Sequence, residues 1–174
     1  VTISANDYLM LWASDKDRSQ ITSSRTLVSQ GDTFKYFIPS SEPNSNWTDI
    51  NFNDSSWDDG PSGFGYADGD DATLIPNGTL SLYLRKNFNI SNVGEIISLI
   101  LDIDYDDAFV AYINGIEIAR ANINGVPPPF NAFTIQDHEA QMYYGGVPDR
   151  FTISDFSSIL VEGDNVLALQ AHNV

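Results

Sequence analysis

Short apolar runs, several of them alternating with polar residues at a period of two, recur along the chain and stop at Gly, Asn, Asp or Pro. They predict strands at 33–38 (TFKYFI), 81–90 (SLYLRKNFNI), 96–104 (IISLILDID), 108–113 (AFVAYI), 116–120 (IEIAR), 150–153 (RFTI) and 165–174 (NVLALQAHNV). All are rich in β-branched or aromatic residues, which suit a pleated, half-buried surface. In the 81–90 run, Leu82, Leu84, Lys86 and Phe88 fall on one face, and Tyr83, Arg85 and Asn87 on the other. Asn114-Gly115 separates two of the runs, and both residues tolerate the positive φ that a tight hairpin demands. One helical turn is expected at 157–160, ended by Gly163. The pattern predicts an all-β sandwich.

Two long stretches, 39–79 and 121–149, carry little strand signal. Segments of that length inside a compact domain are usually functional or pinned in place. They hold the acidic residues, the loop aromatics and one of the two histidines.

Composition narrows the function classes. A chain of 174 residues is long enough for one domain with a real core. With 42% hydrophobic and 12% aromatic residues it folds despite its acidity. Eight Lys and Arg against 24 Asp and Glu, a net charge of -16, give no basic footprint for nucleic acid or for anionic lipid. No apolar run approaches the ~18 residues of a membrane span, and the opening VTISANDYLM has no secretory leader pattern. The absence of cysteine removes thiolate metal sites, thiol catalysis and disulfides.

The order WTDINFNDSSWDDGPSGFGYADGDDAT, LYLRKNFNI, DIDYDDAFVAYINGIEIARANI, DHEA and a closing LVEGDNVLALQAHN resembles a galactose-binding-domain-like jelly roll of the carbohydrate-binding-module type. Such modules occur in large secreted bacterial proteins. The resemblance covers about residues 30–174 and implies a β-sandwich, often with structural calcium and often with carbohydrate binding. It implies no particular sugar, because this fold serves many ligands. Residues 1–25 loosely resemble the end of a lamin-tail module. The expected division is therefore an N-terminal segment, 1–25, and a galactose-binding-like sandwich, 26–174, with the first segment either belonging to a preceding domain or pairing onto the sandwich. The expected setting is a larger exported or cell-surface bacterial protein.

Two acidic clusters are candidate calcium sites. Asp104, Asp106 and Asp107 crowd the entrance to the 108–113 run, where they either share a cation or accept backbone N–H groups. Asp68, Asp70 and Asp71 surround Gly69 in YADGDDAT; the glycine is misplaced for an EF-hand and no Glu follows at the right distance, which leaves a looser calcium loop or a solvated turn. For a sugar, aromatic side chains cover the C–H face of the ring while Asn, Asp and Arg bond its hydroxyls. Tyr143 and Tyr144 beside Gly145-Gly146, and Phe130 after three prolines, are the first choices, with Tyr66, Arg120 and Asn122 as further ligand candidates. Trp47, Trp57 and Phe64 are expected mainly in the core.

Catalysis has thin support. No G-x-S-x-G elbow occurs. His138 beside Tyr143 is the best constellation for a lyase, against the plainer reading that His138 bonds a loop carbonyl. The expectation is a non-catalytic module, stabilised by structural calcium, that binds a polysaccharide beside neighbouring domains of its chain. A structural spacer or protein-interaction module is the first alternative, and a small polysaccharide lyase or hydrolase the second.

Overall fold

The computed structural model describes residues 10–14, 24–66, 69 and 71–173, and of 10–14 the backbone alone. Twelve strands are present among them: β1 (Met10–Ser14), β2 (Ser24–Thr26), β3 (Thr33–Phe37), β4 (Asp58–Pro61), β5 (Phe64–Gly65), β6 (Thr73–Leu74), β7 (Ser81–Ile90), β8 (Ser98–Ile103), β9 (Ala108–Ile113), β10 (Ile116–Ala121), β11 (Asp149–Ile153) and β12 (Gly163–His172). A single helical turn, α1 (Phe156–Ile159), precedes β12. The larger strands form a four-stranded sheet, β11-β8-β1-β2, and a six-stranded sheet, β10-β9-β12-β7-β3-β4, antiparallel throughout. The fold is an all-β sandwich. Backbone pairing places Met10 opposite Asp102, so 10–14 lie in the smaller sheet.

The sandwich has two apolar layers. Leu82, Leu84, Phe88, Leu99, Leu101, Phe109, Ile113 and Leu167 fill the space between the sheets. The outer face of the six-stranded sheet carries a second cluster, in which Trp47 and Trp57 from the 39–57 loop meet Tyr83, Val110, Tyr112 and Ile123. Trp47 stands edge-on to Tyr83 at 4.8 Å and to Tyr112 at 5.6 Å, arrangements that suit the ring quadrupoles. The two loops that looked structureless thus roof a sheet face. All six residues of β9 are consequently buried, which accounts for the unbroken apolar run AFVAYI.

Arg85, 2% exposed, is the polar pin of this roof. Its Nε donates to Asp54 at 2.8 Å, and its Nη1 donates to the carbonyls of Trp47 and Asp49. A buried guanidinium needs such partners, because an unpaired charge in the interior is strongly destabilising.

Strand register sorts the loops by end. His172, the last residue of β12, lies opposite both Ser81, the first of β7, and Ala108, the first of β9. The Asp107 N–H donates to the His172 carbonyl at 2.9 Å, and the Asn173 N–H to the Leu80 carbonyl at 3.0 Å. The segments 76–80, 104–107 and the chain after β12 therefore meet at one end. The 104–107 link brings the end of β8 there too, and with it Asp149 of β11, which pairs with Ile103. The Asn114-Gly115 turn and α1 occupy the opposite end.

Candidate functional site

The loop-rich end is organised by the acidic entrance to β9. Asp102, 2% exposed, holds Arg150 through two hydrogen bonds of 2.7 Å, and this contact pushes the Arg150 pKa up. Both oxygens of Asp104 accept main-chain N–H groups, from Gln141 at 2.9 Å and Met142 at 3.0 Å. Asp107 Oδ1 accepts the His138 N–H at 2.7 Å. Each carboxylate thus ties a point of the 138–150 segment to the junction of β8 and β9. Charge-assisted bonds of this kind are about twice as strong as neutral ones.

Asp106 is the exception. It is exposed, and its pKa is pushed up from 3.8 to about 6 by partial burial first, then by the nearby charges of Asp107 and Glu139, with His138 acting the other way. Among the described residues, no three acidic or histidine side chains are grouped so as to hold a metal ion. The oxygens of Asp104 and the Oδ1 of Asp107 each accept an N–H group, which leaves fewer of their lone pairs for a cation. In the other acidic cluster, Asp68 and Asp70 lie outside the described residues. The Asp71 carboxylate packs on Gly65 so closely that a side chain at 65 would run into it.

His138 is held on two sides. Its ring stacks on Tyr105 with centroids 4.1 Å apart and planes 5° from parallel. Its Nδ1–H donates to the Tyr105 carbonyl at 3.0 Å, as the plainer reading of this residue expects, and Nε2 lies 3.7 Å from Asp149. The Tyr105 hydroxyl donates to the same Asp149 oxygen at 3.1 Å; burial and that carboxylate push its pKa up to about 12. The second histidine, His172, is sealed in the outer layer between Gln170 and the Ala132 carbonyl, and burial lowers its pKa.

The sugar candidates separate into two groups. Tyr143 and Tyr144 lie in the short 3₁₀ turn Met142–Tyr144, directly after the two N–H groups that Asp104 holds. They are 59% and 60% exposed and meet edge to face at 4.4 Å. Gly145 then closes the turn at φ 88°, a conformation that favours glycine. The others are tied into the fold. Arg120 forms a fork with Glu117, two bonds of 2.6 Å, and also donates to the Gly125 carbonyl. Asn122, at φ 62°, donates to the carbonyls of Asp107 and Gln136. The Tyr66 hydroxyl accepts from Asn173 at 2.8 Å, and Phe130 packs half-buried against the outer cluster.

A further feature carried no signal in the sequence. A cleft of about 290 Å³ opens at the start of β7, beside the end of β3. Its residues, among them Ser81 and Pro76, look like ordinary strand-start and turn residues until the fold gathers them.

No protein-family model matches the chain, and comparison with curated proteins finds no match. Solved structures do match in fold. A β-glucuronidase from glycoside hydrolase family 2 aligns over 100% of this chain at 16% identity with a TM-score of 0.54. A Bifidobacterium dentium β-glucuronidase, solved with coumarin-3-O-glucuronide, aligns over 98% at 12% identity and 0.54. The Ruminococcus gnavus β-glucuronidase aligns over 92% at 14% identity and 0.51. The chain spans only 15%, 21% and 23% of these enzymes. At such identities the likeness is one of fold: this sandwich resembles a β-sandwich part of much longer proteins.

Proposed function

We propose that this chain is a non-catalytic carbohydrate-binding sandwich within a larger secreted or cell-surface bacterial protein, and that it holds a polysaccharide near neighbouring domains. The observation that carries the reading is the Tyr143–Tyr144 pair, largely exposed on a turn whose backbone Asp104 holds still. Rigid, exposed aromatics lose little entropy when a sugar face covers them. Likeness in fold to parts of enzymes named for glucuronide hydrolysis agrees with a glycan-related setting. The engagement of His138 by Tyr105 supports the non-catalytic side of the reading. Structural calcium, where it binds, is expected at Asp68, Asp70 and Asp71 or at Asp104, Asp106 and Asp107.

The test is a screen of immobilised polysaccharides in calcium and again in excess chelator, with a Tyr143→Ala/Tyr144→Ala variant beside the parent. The parent binds at least one glycan, and the variant loses about tenfold or more in affinity while its Tm moves by no more than ~2 °C. Chelation lowers the Tm if calcium orders the loop, and identical melts remove the metal from the proposal. A parent that binds no glycan sinks the reading. The spacer or interaction module would then stand, favoured by Val126, Phe133 and Ile135, which expose apolar surface on the 122–136 loop.

A further inference from the structure

The cleft at the start of β7 is built differently from the tyrosine pair. Ile38, Pro39, Pro76 and Phe130 line it with apolar surface, and Asn77 and Ser81 are among its polar residues. Ile38 belongs to the layer between the sheets and Phe130 to the outer layer, so the cleft lies where the two apolar layers meet. Ser81 is 4% exposed, and its hydroxyl has no hydrogen-bond partner in the protein. An unsatisfied buried hydroxyl is destabilising, and a ligand group that bonds it relieves that cost. The Ser81 oxygen is shut off from solvent, so it serves a ligand only by rotating to another of the three staggered positions of a serine side chain.

Size, shape and charge together narrow the ligand. Ligand pockets run from about 300 to 1,000 Å³; at about 290 Å³ this one suits a single ring. Proline and phenylalanine walls match the C–H face of a pyranose, and Ser81 and Asn77 can bond its hydroxyls. No Lys or Arg lines the cleft. Glu42 accepts the N–H of Phe130 at 2.9 Å, which places a carboxylate beside one wall. An anionic ring would meet repulsion there with no cation to offset it.

We infer that this cleft is a subsite for one neutral sugar ring, separate from the Tyr143–Tyr144 pair, and that it discriminates against uronic acids. The inference rests on the carbohydrate reading above but names a different site and a ligand charge. It distinguishes this chain from what the names of its glucuronidase look-alikes would suggest.

The ¹⁵N-labelled chain is titrated with methyl β-D-galactopyranoside, methyl β-D-glucopyranoside and D-glucuronate while amide shifts are followed. One of the neutral glycosides moves the amides of Asn77, Gly78, Thr79, Leu80, Ser81 and Phe130, and glucuronate leaves them in place. Ser81→Ala weakens that binding about tenfold, the worth of one well-made hydrogen bond. Its Tm is unchanged or higher, because the hydroxyl has no internal bond to lose. The Tyr143→Ala/Tyr144→Ala variant keeps the cleft response. Shifts confined to Tyr143 and Tyr144, equal response to glucuronate, or full affinity in Ser81→Ala each overturn the subsite while leaving the general carbohydrate reading intact. A chain in which neither glycoside moves any amide overturns the subsite, and a glycan screen that is also empty removes the carbohydrate reading with it.

Discussion

At one end of the sandwich two asparagines lock the structure; at the other, three aspartates do. Asn114 donates to the Ile159 carbonyl and to Asn165 Oδ1 and accepts the Val166 N–H, while Asn165, fully buried, donates to the carbonyls of Val161 and Gly163 and accepts the Val161 N–H. An amide both donates and accepts, so two of them saturate each other and the backbone around them without any charge. A carboxylate only accepts. Asp102, Asp104 and Asp107 therefore need N–H partners from a separate segment, and they obtain them from residues 138–150. The neutral end is closed by a two-residue turn and one helical turn. The charged end carries long loops, raised carboxylate and phenol pKa values, exposed tyrosines and a cleft. Binding loops are drawn from the less stable parts of a fold, so the charged end is where the proposed binding is to be tested.

The largest effect is expected at the neutral end. Asn165→Leu takes one of three bonds from the Asn114 amide and removes the side-chain partner of the main-chain groups of Val161 and Gly163, which should cost about 3 kcal/mol. Urea denaturation measures it. A loss below about 1 kcal/mol would mean that packing alone closes this end and that the contrast in bonding has little weight. A smaller change follows at the charged end. Asp104→Ala frees the N–H groups of Gln141 and Met142, which are near the surface, and should cost about 1 kcal/mol. Its sharper readout is local, since the amides of residues 141–145 should exchange hydrogen faster while those of β7 and β12 keep their protection. Uniformly faster exchange would show that the aspartate supports the whole sandwich rather than the tyrosine turn.

The smallest effect concerns Asp106, and its sign runs opposite to that of most paired acids. Its folded pKa, about 6, lies above the ordinary 3.8, so the folded chain takes up this proton more readily than the unfolded one. Its contribution to stability therefore declines as pH rises from about 4 to about 6 and stays unfavourable above that. Asp106→Asn should be slightly more stable than the parent at pH 7 and equal to it at pH 4. Buried His172 works the other way in an overlapping window: its lowered pKa makes the folded state lose stability as pH falls below the ordinary 6.5. The difference in Tm between Asp106→Asn and the parent, followed from pH 4 to 8, cancels the histidine. A flat difference would show that neither burial nor the charges of Asp107 and Glu139 raise the pKa of Asp106.

Much of the scaffold was legible in residue order. The run 81–90 is β7 from end to end, Asn114 and Gly115 adopt φ 51° and 87° in a tight hairpin, and Trp47 and Trp57 are buried. Other pieces could not be read that way. DDGP at 58–61 has no strand propensity, yet it pairs with β3 as β4, because the neighbouring strand supplies the partners. Gly60 is required there by contact, since a side chain would strike Thr73. The aspartates of β9's entrance posed two readings, cation ligands or acceptors for backbone groups. Asp104 and Asp107 proved to accept N–H groups from more than thirty residues away in the chain, where no local pattern could point.

Periodicity, turn chemistry and the surplus of acids were therefore properties of the sequence itself, because they depend on each residue and its near neighbours. They determined an all-β chain and a hairpin position. Tertiary structure alone decided which acids meet which amides, which aromatics are sealed and which are exposed, and that Ser81 is left without a hydrogen-bond partner beside a cleft. Those outcomes depend on register between distant strands, and register is chosen by how both apolar layers are buried together.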